Sequence, residues 1–414
     1  MRFILPLFCS GFFVILMAVT ACSETNPTLE QKVTVGAEVL LRDHLDDLEG
    51  RRVGLVMNPT ARISDTHVLD TLLRLSVDIQ ALYAPEHGFR GDRGAGEKIE
   101  GGFDQESGLP VFSLYGESRK PTPDMLEHVD LLLFDMQDVG ARFYTYISTM
   151  GLVMEAAADN GVEVWILDRP NPAGGEYVSG WVLEPEHESF VGAFPIPIAH
   201  GMTLGELARM AEGEGWLNTD NEVNYRVITN ENLTRSMMWP DMGLDWIPPS
   251  PNLPTFEHSL AYLGTCLFEG TTLSEGRGTD DPFLKIGSPT LQTDHTRLMS
   301  LGNRYGAGLK EITFTPKSLP GIAPNPKHQD TQNKGVAISI NDYHQFDPVA
   351  FGVEMLRTFL NADQDSETSD FLYLLAGTDR IDHYLNSDIA DSPDVLWKEE
   401  VAAFKQQRQP YLLY

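Results

Sequence analysis

Three apolar, strand-like runs, each followed directly by a polar cluster, constrain the fold of this chain most strongly. Residues 79–84 lead into Pro85-Glu86-His87-Gly88, residues 131–134 into residues 135–142, and residues 162–167 into Asp168-Arg169-Pro170-Asn171-Pro172. In an open α/β sheet, ligands bind in the crevice outside the carboxyl ends of the parallel strands. We therefore expect the three clusters to converge in space, as the parts of an active site do.

Strand-like and helix-like patterns alternate over the first 250 residues. Residues 53–57 and 131–134 predict buried strands, whereas residues 67–75 and 144–160 predict helices. This alternation predicts βαβ units and a mostly parallel, Rossmann-like sheet. Five prolines between positions 240 and 254 indicate a crossing segment, after which the pattern is looser. We predict an α/β catalytic domain over 32–250 and a smaller α+β auxiliary domain over 251–414, with the active site in the cleft between them.

The N-terminal residues have the pattern of an export signal. Met1-Arg2 precede an apolar run that ends at Val19, and the small residue Ala21 stands directly before Cys22. This arrangement resembles the lipobox of bacterial lipoproteins, with an ordinary signal peptide or a membrane anchor as the alternative. We predict a signal peptide over 1–21, lipidation at Cys22 and a polar tether over 22–31. Ser23 indicates the periplasmic face of the outer membrane, or the cell surface, of a Gram-negative bacterium.

The charge and the cysteine content exclude several classes of protein. A formal net charge of −30 repels nucleic acids and anionic membrane surfaces, so contact with a membrane is expected only through the lipid anchor. Once Cys9 leaves with the signal and Cys22 carries lipid, Cys266 is the remaining thiol, and no disulfide is expected. The histidines do not cluster at metal-ligand spacing, and dinucleotide, P-loop and serine-hydrolase motifs are missing. The sequence predicts no metal and no cofactor.

The strand-end clusters contain candidate catalytic residues. Glu86 is a candidate general acid because a carboxylic acid at the mouth of an apolar sheet can have a raised pKa. Helix capping or pairing with Arg90 is the structural alternative. His87 is a candidate hydrogen-bond donor to the substrate, or it orients its neighbour. Asp138 and Arg142 lie four residues apart, where they can act in a site or pair on one face of a helix.

Further polar residues are candidates for substrate binding. Tyr144 is expected to supply an aromatic wall for a sugar or to belong to the core. Two prolines stiffen the loop that carries Asp168, Arg169 and Asn171, which favours a binding role. A fourth cluster spans 271–280. It is expected either to enter the interdomain cleft or to form a turn with a surface ion pair, and its candidate residues are Glu275, Arg277 and Asp280.

Four of these stretches resemble a known enzyme family. The runs APEHGFRG (84–91), FDMQDVGARFYTY (134–146), LDRPNP (167–172) and FEGTTLSEGRGTDDPF (268–283) resemble the exo-acting β-N-acetylmuramidases of glycoside hydrolase family 171. The resemblance extends from about Val53 to the C-terminal Tyr414. It implies a Rossmann-like domain and an auxiliary domain around a cleft. It also implies release of N-acetylmuramic acid from the non-reducing ends of peptidoglycan fragments, which makes muramyl saccharides the expected partners.

The resemblance assigns roles to the candidate residues. Glycoside cleavage needs a proton donor and usually a second carboxylate. Glu86 is the expected acid/base, with Asp138 or Glu275 as the second group, unless the 2-acetamido group of the substrate assists its own cleavage. Arg142 or Arg277 is expected to bind the lactyl carboxylate, while Asp168 and Asn171 hold sugar hydroxyls. Two alternatives remain open, a non-catalytic cell-wall sugar-binding lipoprotein and another α/β hydrolase such as an esterase or a deacetylase.

Overall fold

The apolar runs of the sequence form the central strands of the main sheet. Every residue is buried in the strands Val53–Met57 and Leu131–Asp135. Alternate residues pack on opposite faces, so that Leu55 belongs to one apolar core and Val56 to the other. Because both faces are covered, these strands appear in the sequence as continuous apolar runs, as parallel strands do.

The computed structural model describes Met1 and residues 32–86, 88–89, 102–116, 118–387 and 391–414. The strands in this part of the chain are β1 (Val53–Met57), β2 (Arg62–Ile63), β3 (Thr66–His67), β4 (Ile79–Ala84), β5 (Gly102–Phe103), β6 (Pro110–Ser113), β7 (Leu131–Asp135), β8 (Glu163–Leu167), β9 (Ser179–Val182), β10 (Pro197–Ala199), β11 (Tyr225–Ile228), β12 (Lys285–Ser288), β13 (Ala307–Phe314) and β14 (Asn333–Ile340). The helices are α1 (Gly36–Asp43), α2 (Val68–Arg74), α3 (Pro123–Leu126), α4 (Tyr146–Asn160), α5 (Leu204–Gly213), α6 (Phe256–Thr265), α7 (His295–Tyr305), α8 (Pro348–Ala362), α9 (Phe371–Ala376), α10 (Ile381–Leu385) and α11 (Lys398–Gln407).

The main sheet is mostly parallel, which confirms the predicted α/β class. Its seven strands within the described residues have the order β11-β8-β7-β1-β4-β6-β5, and only the β5–β6 pair is antiparallel. Residues of α1 and α2 share one apolar core with the sheet, and residues of α4 and α5 share the other. Strand β1 therefore lies in the middle of the sheet. Strand β4 pairs with it on one side and β7 on the other.

The C-terminal half carries a second, antiparallel sheet. Strands β12, β14 and β13 lie side by side in that order, and α7 and α8 pack in the same region. The connection between β13 and β14 is a long loop over residues 315–332. Lys32–Tyr414 forms one compact unit.

The predicted signal peptide, the predicted lipidation site Cys22 and the predicted tether lie outside the described residues, as does His87. Among the residues that are described, no helix has both the length and the apolar character required to span a bilayer.

Candidate active site

A cavity of about 670 Å³ lies outside the carboxyl ends of β4 and β6. One wall is formed by Glu86, which follows β4, by Tyr115, which follows β6, and by Thr145, which precedes α4. The other wall comes from the C-terminal half, namely the 3₁₀ turn Cys266–Gly270, the loop before β12 and the loop between β13 and β14. The cavity therefore joins a strand end of the parallel sheet to loops that are distant in sequence.

Thr145 and Tyr115 are neighbours of the Glu86 carboxylate at this strand end. Thr145 Oγ1 donates a hydrogen bond to Glu86 Oε2 at 2.9 Å. The Tyr115 hydroxyl lies close enough to the same carboxylate for the charge of Glu86 to act on it. Burial raises the pKa of Tyr115, and the negative charge of Glu86 raises it further, so the phenol remains a hydrogen-bond donor at neutral pH. Glu86 is thereby fixed at the edge of the cavity instead of rotating in solvent.

Two acids and two bases form an ion-pair cluster on the opposite wall. Arg277 donates to Glu269 Oε1 from Nε at 2.9 Å and from Nη2 at 2.6 Å. Arg277 Nε also lies 3.8 Å from Glu275 Oε1, and Lys327 Nζ lies 2.9 Å from Glu275 Oε2. The side chain of Glu275 is only 4% exposed, whereas that of Glu269 is 21% exposed. Both carboxylates of the cluster therefore have a cationic side chain as a neighbour.

Lys327 also fixes the loop between β13 and β14 to the rest of this wall. Its ammonium group donates to the carbonyl oxygens of Phe268 at 2.7 Å and Leu273 at 3.0 Å. Asn252 Nδ2 donates to Ile322 O at 2.9 Å from the other side of the loop. Residues 322–327 line the cavity. The loop wall is thus held at both ends by buried or half-buried polar contacts.

Aromatic side chains complete the cavity. Tyr144 lines it and also packs edge-on against Tyr146 and Tyr262, at ring-centroid distances of 4.8 and 6.0 Å. Tyr144 therefore lines the cavity, as one prediction had it, and also packs in the core, as the alternative had it. On the other side, the Arg119 guanidinium carbon lies 4.1 Å from the ring centroid of Phe190. Phe190 in turn lies 6.3 Å from the Tyr115 ring.

Asp138 and Arg142 do not line this cavity, contrary to the expectation from sequence. Asp138 is buried and accepts a hydrogen bond from Gly140 N at 2.7 Å. Arg142 is 1% exposed, and its guanidinium donates to the backbone carbonyls of Trp181, Ile196 and Leu375 at 2.7–2.9 Å. The four-residue spacing of the two side chains therefore does not correspond to an ion pair. Arg142 instead connects segments that are more than 200 residues apart.

The stiff loop after β8 is also structural and lies away from the cavity. Asp168 is fully buried and accepts hydrogen bonds from Thr203 Oγ1 at 2.7 Å, Gly205 N at 2.8 Å and the hydroxyl of Tyr414 at 2.7 Å. Burial raises the pKa of Asp168 to about 7, although these hydrogen bonds oppose the shift. Asn171 bonds Ala173 N and the carbonyl of Met202. The loop caps α5 and anchors the C-terminus.

The crevice beside β1 is occupied by the protein's own side chains. Arg169 forms a buried bidentate pair with Asp135, with Nη2 3.0 Å from Oδ2, and also bonds the carbonyl of Arg62. The cavity that remains next to Arg169, Gln137 and Thr60 measures only about 40 Å³. The three strand-end clusters therefore do not meet in one site, because only the β4 cluster borders the large cavity.

The fourth predicted cluster is divided between the cavity and the surface. Glu275 and Arg277 line the cavity, whereas Asp280 forms a surface ion pair with Lys285 and is 83% exposed. The surface-pair alternative is correct for Asp280. His87 lies outside the described residues, so its predicted role as a donor stays a prediction.

Sequence reasoning missed several polar residues of the cavity, among them Tyr115, Arg119, Thr145, Glu269 and Lys327. Tyr115 stands two residues after β6, another strand of the parallel sheet, so the strand-end argument applies to it as well. Glu269 stands within the 268–283 stretch that carries the family resemblance. No sequence signal was available for Lys327, since it contacts the cavity through a loop whose path depends on tertiary structure.

One group of described residues outside the cavity has ligand atoms close enough for a metal ion. Glu184, His187 and Asp379 each offer one such atom, all within 4.8 Å of one another. Glu184 is already engaged, because it accepts from Thr378 at 2.7 Å and pairs with Arg380 at 2.9 Å. The adjacent guanidinium opposes cation binding, and we assign no metal to this group.

The chain is similar to known proteins over most of its length. Residues 53–257 match the family model described as exo-β-N-acetylmuramidase NamZ, N-terminal, and residues 260–414 match its C-terminal counterpart. The chain is 38% identical over 410 residues to the peptidoglycan β-N-acetylmuramidase NamZ of Bacillus subtilis (strain 168), covering 95% of this chain and 94% of that protein. Two crystal structures of DUF1343 family proteins from Bacteroides fragilis NCTC 9343 have TM-scores of 0.81 and 0.78. They are 33% and 36% identical to this chain and cover 92% and 93% of it, and the alignments span 99% of each of those chains. The chain therefore belongs to the exo-β-N-acetylmuramidase NamZ family.

Proposed function

We propose that this protein is an exo-β-N-acetylmuramidase that releases N-acetylmuramic acid from the non-reducing ends of peptidoglycan fragments. One observation carries the proposal: a carboxylate, Glu86, accepts a hydrogen bond from Thr145 at a strand end that borders a cavity of about 670 Å³. A cavity of this size is typical of a small-molecule site and suits a short saccharide end better than a long glycan strand. Family membership supplies the reaction.

Glu86 acts as the general acid. Cleavage of a glycosidic bond requires a proton on the leaving oxygen, and a positioned carboxylic acid delivers it. The hydrogen bond from Thr145 restricts the direction in which the carboxyl group faces. If the configuration is retained, the same carboxylate then removes a proton from the water that attacks after the aglycone has left; if it is inverted, the second carboxylate removes that proton.

Glu275 is the second carboxylate of the reaction. It lines the same cavity as Glu86, and Lys327 and Arg277 pair with it within the ion-pair cluster. A fixed negative charge there stabilises the positive charge that develops on the sugar ring, or orients the 2-acetamido group if the substrate assists its own cleavage. Asp138 is excluded from this role because it is buried away from the cavity.

The charges of the cavity suit an anionic sugar. Glu86, Glu269 and Glu275 are matched there by Arg119, Arg277 and Lys327, although the whole chain has a formal charge of −30. An anion is repelled at long range by such a protein and needs a local positive charge where it binds. The cavity is therefore a suitable place on this molecule for a sugar that carries a carboxylate.

A pair of chromogenic substrates tests the proposed activity. The protein is expected to hydrolyse an aryl β-N-acetylmuramide and to leave the aryl β-N-acetylglucosaminide, which lacks the lactyl group, essentially untouched. On glycan strands that end in muramic acid, the first product is expected to be the monosaccharide, detected by chromatography. Equal rates on the two aryl glycosides, or internal cleavage of the strands, would contradict the proposal.

Two glutamine variants test the second carboxylate. Glu275→Gln is expected to lower kcat at least a hundredfold, while Glu269→Gln serves as the matched control from the same cluster and loses less than tenfold. The anomer released first, observed by proton NMR, then separates retention from inversion. A larger effect of Glu269→Gln than of Glu275→Gln would transfer the role to Glu269.

We also propose that the protein is exported as a lipoprotein anchored through Cys22, on the periplasmic face of the outer membrane or on the cell surface. The small residue before Cys22 supports this. Palmitate labelling of the wild type but not of Cys22→Ser is the expected result, and equal labelling would refute it. The division into domains 32–250 and 251–414 is likewise a proposal, supported by the break between the two matched family models at 257–260.

A further inference from the structure

We propose that Arg119 is the residue that binds the lactyl carboxylate of N-acetylmuramic acid, and thus determines the selectivity for muramic over glucosamine glycosides. This inference rests on the proposed function and deepens it. It replaces the two arginines favoured by the sequence, one of which is buried elsewhere while the other is already paired.

The argument starts from the positive charges available in the cavity. Among the described residues that line it, the cationic side chains are Arg119, Arg277 and Lys327. Arg277 donates twice to Glu269, and Lys327 pairs with Glu275 and also donates to backbone carbonyls. A substrate carboxylate at either residue would have to displace an existing buried contact. In the described part of the chain, Arg119 has no carboxylate within ion-pair distance, so its charge is available.

The surroundings of Arg119 prepare its guanidinium for a planar anion. The group lies over the face of Phe190, with 4.1 Å between its central carbon and the ring centroid. Stacking occupies the face of the guanidinium but leaves its N–H donors, which lie in the plane and match both oxygens of a carboxylate. The side chain is otherwise exposed to solvent at the cavity wall. The stacking contact therefore reduces the conformational freedom that binding would have to remove.

The position of Arg119 relative to Glu86 also fits the sugar. The bond to be cleaved is at C1 of the pyranose and the lactyl ether is at C3, so the acid and the anion-binding group must be separated by about the width of a sugar ring. Tyr115 is a neighbour of both: the charge of Glu86 acts on its hydroxyl, and its ring lies 6.3 Å from Phe190, on which Arg119 stacks. The charges of Glu86 and Arg119 act on the same phenol. Both groups therefore border one sugar-sized space.

The test measures selectivity with three aryl glycosides: the β-N-acetylmuramide, the same compound with its lactyl acid converted to the neutral amide, and the β-N-acetylglucosaminide. The enzymes are the wild type, Arg119→Met, Arg119→Lys and Arg297→Met. The last removes one exposed arginine charge from α7, at a residue that does not line the cavity. For Arg119→Met we expect kcat/KM on the muramide to fall 10- to 100-fold, mostly through KM. On the neutral amide it falls less than threefold, so the preference for acid over amide disappears. Arg119→Lys keeps part of that preference, and Arg297→Met keeps all of it.

Three results would overturn the inference. In the first, the acid-to-amide preference survives in Arg119→Met. In the second, all substrates lose activity equally, which is the behaviour of a merely structural residue. In the third, Arg277→Met, assayed as a folded protein by its circular dichroism spectrum, abolishes the preference in place of Arg119→Met. If the wild type fails to cleave the muramide at all, the proposed function fails instead, and the two failures are thereby distinguished.

Discussion

Replacement of Arg142 by methionine is expected to weaken the fold and to leave the substrate affinity almost unchanged. The guanidinium is 1% exposed and donates three hydrogen bonds to carbonyls at 2.7–2.9 Å. Methionine fills a similar volume but removes the guanidinium donors of three carbonyl oxygens, of which Ile196 O keeps a hydrogen bond from Leu183 N. Hydrogen bonds that involve a charged group contribute about 1.5–3 kcal/mol each, and partial relaxation reduces their sum. We therefore expect a loss of about 4 kcal/mol in the free energy of unfolding.

The assay is thermal unfolding followed by circular dichroism. For a folded unit of about 380 residues, an unfolding entropy of about 2.1 cal/mol/K per residue converts 4 kcal/mol into a decrease in Tm of about 5 °C. Arg142→Lys is expected to lie between the wild type and Arg142→Met, because an ammonium group cannot reach three carbonyls with the geometry of the guanidinium fork. Arg297→Met is the surface control, with an expected change of less than about 0.5 kcal/mol.

Kinetics at a temperature well below the transition separate the two possible roles of Arg142. Because Arg142 does not line the cavity, KM for the muramide should change less than threefold in the methionine variant. An unchanged Tm together with a tenfold increase in KM would refute this reasoning. It would restore the assignment of Arg142 to the lactyl group that the sequence suggested.

Three further stability predictions follow from buried polar contacts. Because burial raises the pKa of Asp168 to about 7, against about 3.9 in the unfolded chain, the native state binds the extra proton between these values and its stability falls as the pH rises through this window. The wild type should therefore exceed Asp168→Asn in Tm by a larger margin at pH 5 than at pH 8. A margin that does not depend on pH would contradict the raised pKa of Asp168. Tyr414→Phe removes a hydrogen bond to Asp168 and should lower Tm by about 2–3 °C, at about 2 kcal/mol; an unchanged Tm would mean that this bond is unimportant. Lys327→Met leaves the 4%-exposed Glu275 without its closest cation and should cost about 3 kcal/mol. Lys317→Met breaks a surface ion pair whose side chains are about 60% exposed and should lower the free energy of unfolding by less than about 1 kcal/mol. Equal losses in the two variants would refute the distinction between buried and exposed ion pairs.

The strands and their carboxyl ends were predictable because burial on both faces leaves a clear apolar signature. The runs at 53–57, 79–84 and 131–134 correspond to β1, β4 and β7. Their order in the sheet was not predictable from these runs, since pairing depends on helices that cross over between strands. The order places β7 and β8 on one side of β1, and β4 and β6 on the other. For this reason Glu86 has Tyr115 as a neighbour and not Asp168.

The sequence alone also could not distinguish structural from functional polar residues. Asp168 and Arg142 are the residue types that bind sugars, and they stand at strand ends or near helix starts as site residues do. Their hydrogen-bond partners are backbone groups and the side chains of Thr203 and Tyr414, which only the tertiary structure brings together. Conversely, Arg119 lies in no motif, and its importance depends on the position of Phe190 some 70 residues later.

The central claim is that Glu86 protonates the leaving group, and it is tested most directly by comparing two substrates of the Glu86→Gln variant. One is the disaccharide of N-acetylmuramic acid β-linked to N-acetylglucosamine, whose leaving alcohol needs a proton. The other is an aryl β-N-acetylmuramide with an acidic phenol, which leaves without much assistance. Glu127→Gln, a change at an exposed carboxylate outside the cavity, is the matched control and should behave as the wild type. We predict that Glu86→Gln loses about 10²- to 10⁴-fold in turnover of the disaccharide and far less on the aryl glycoside. Equal losses on both substrates, or near-normal turnover of the disaccharide, would contradict the claim.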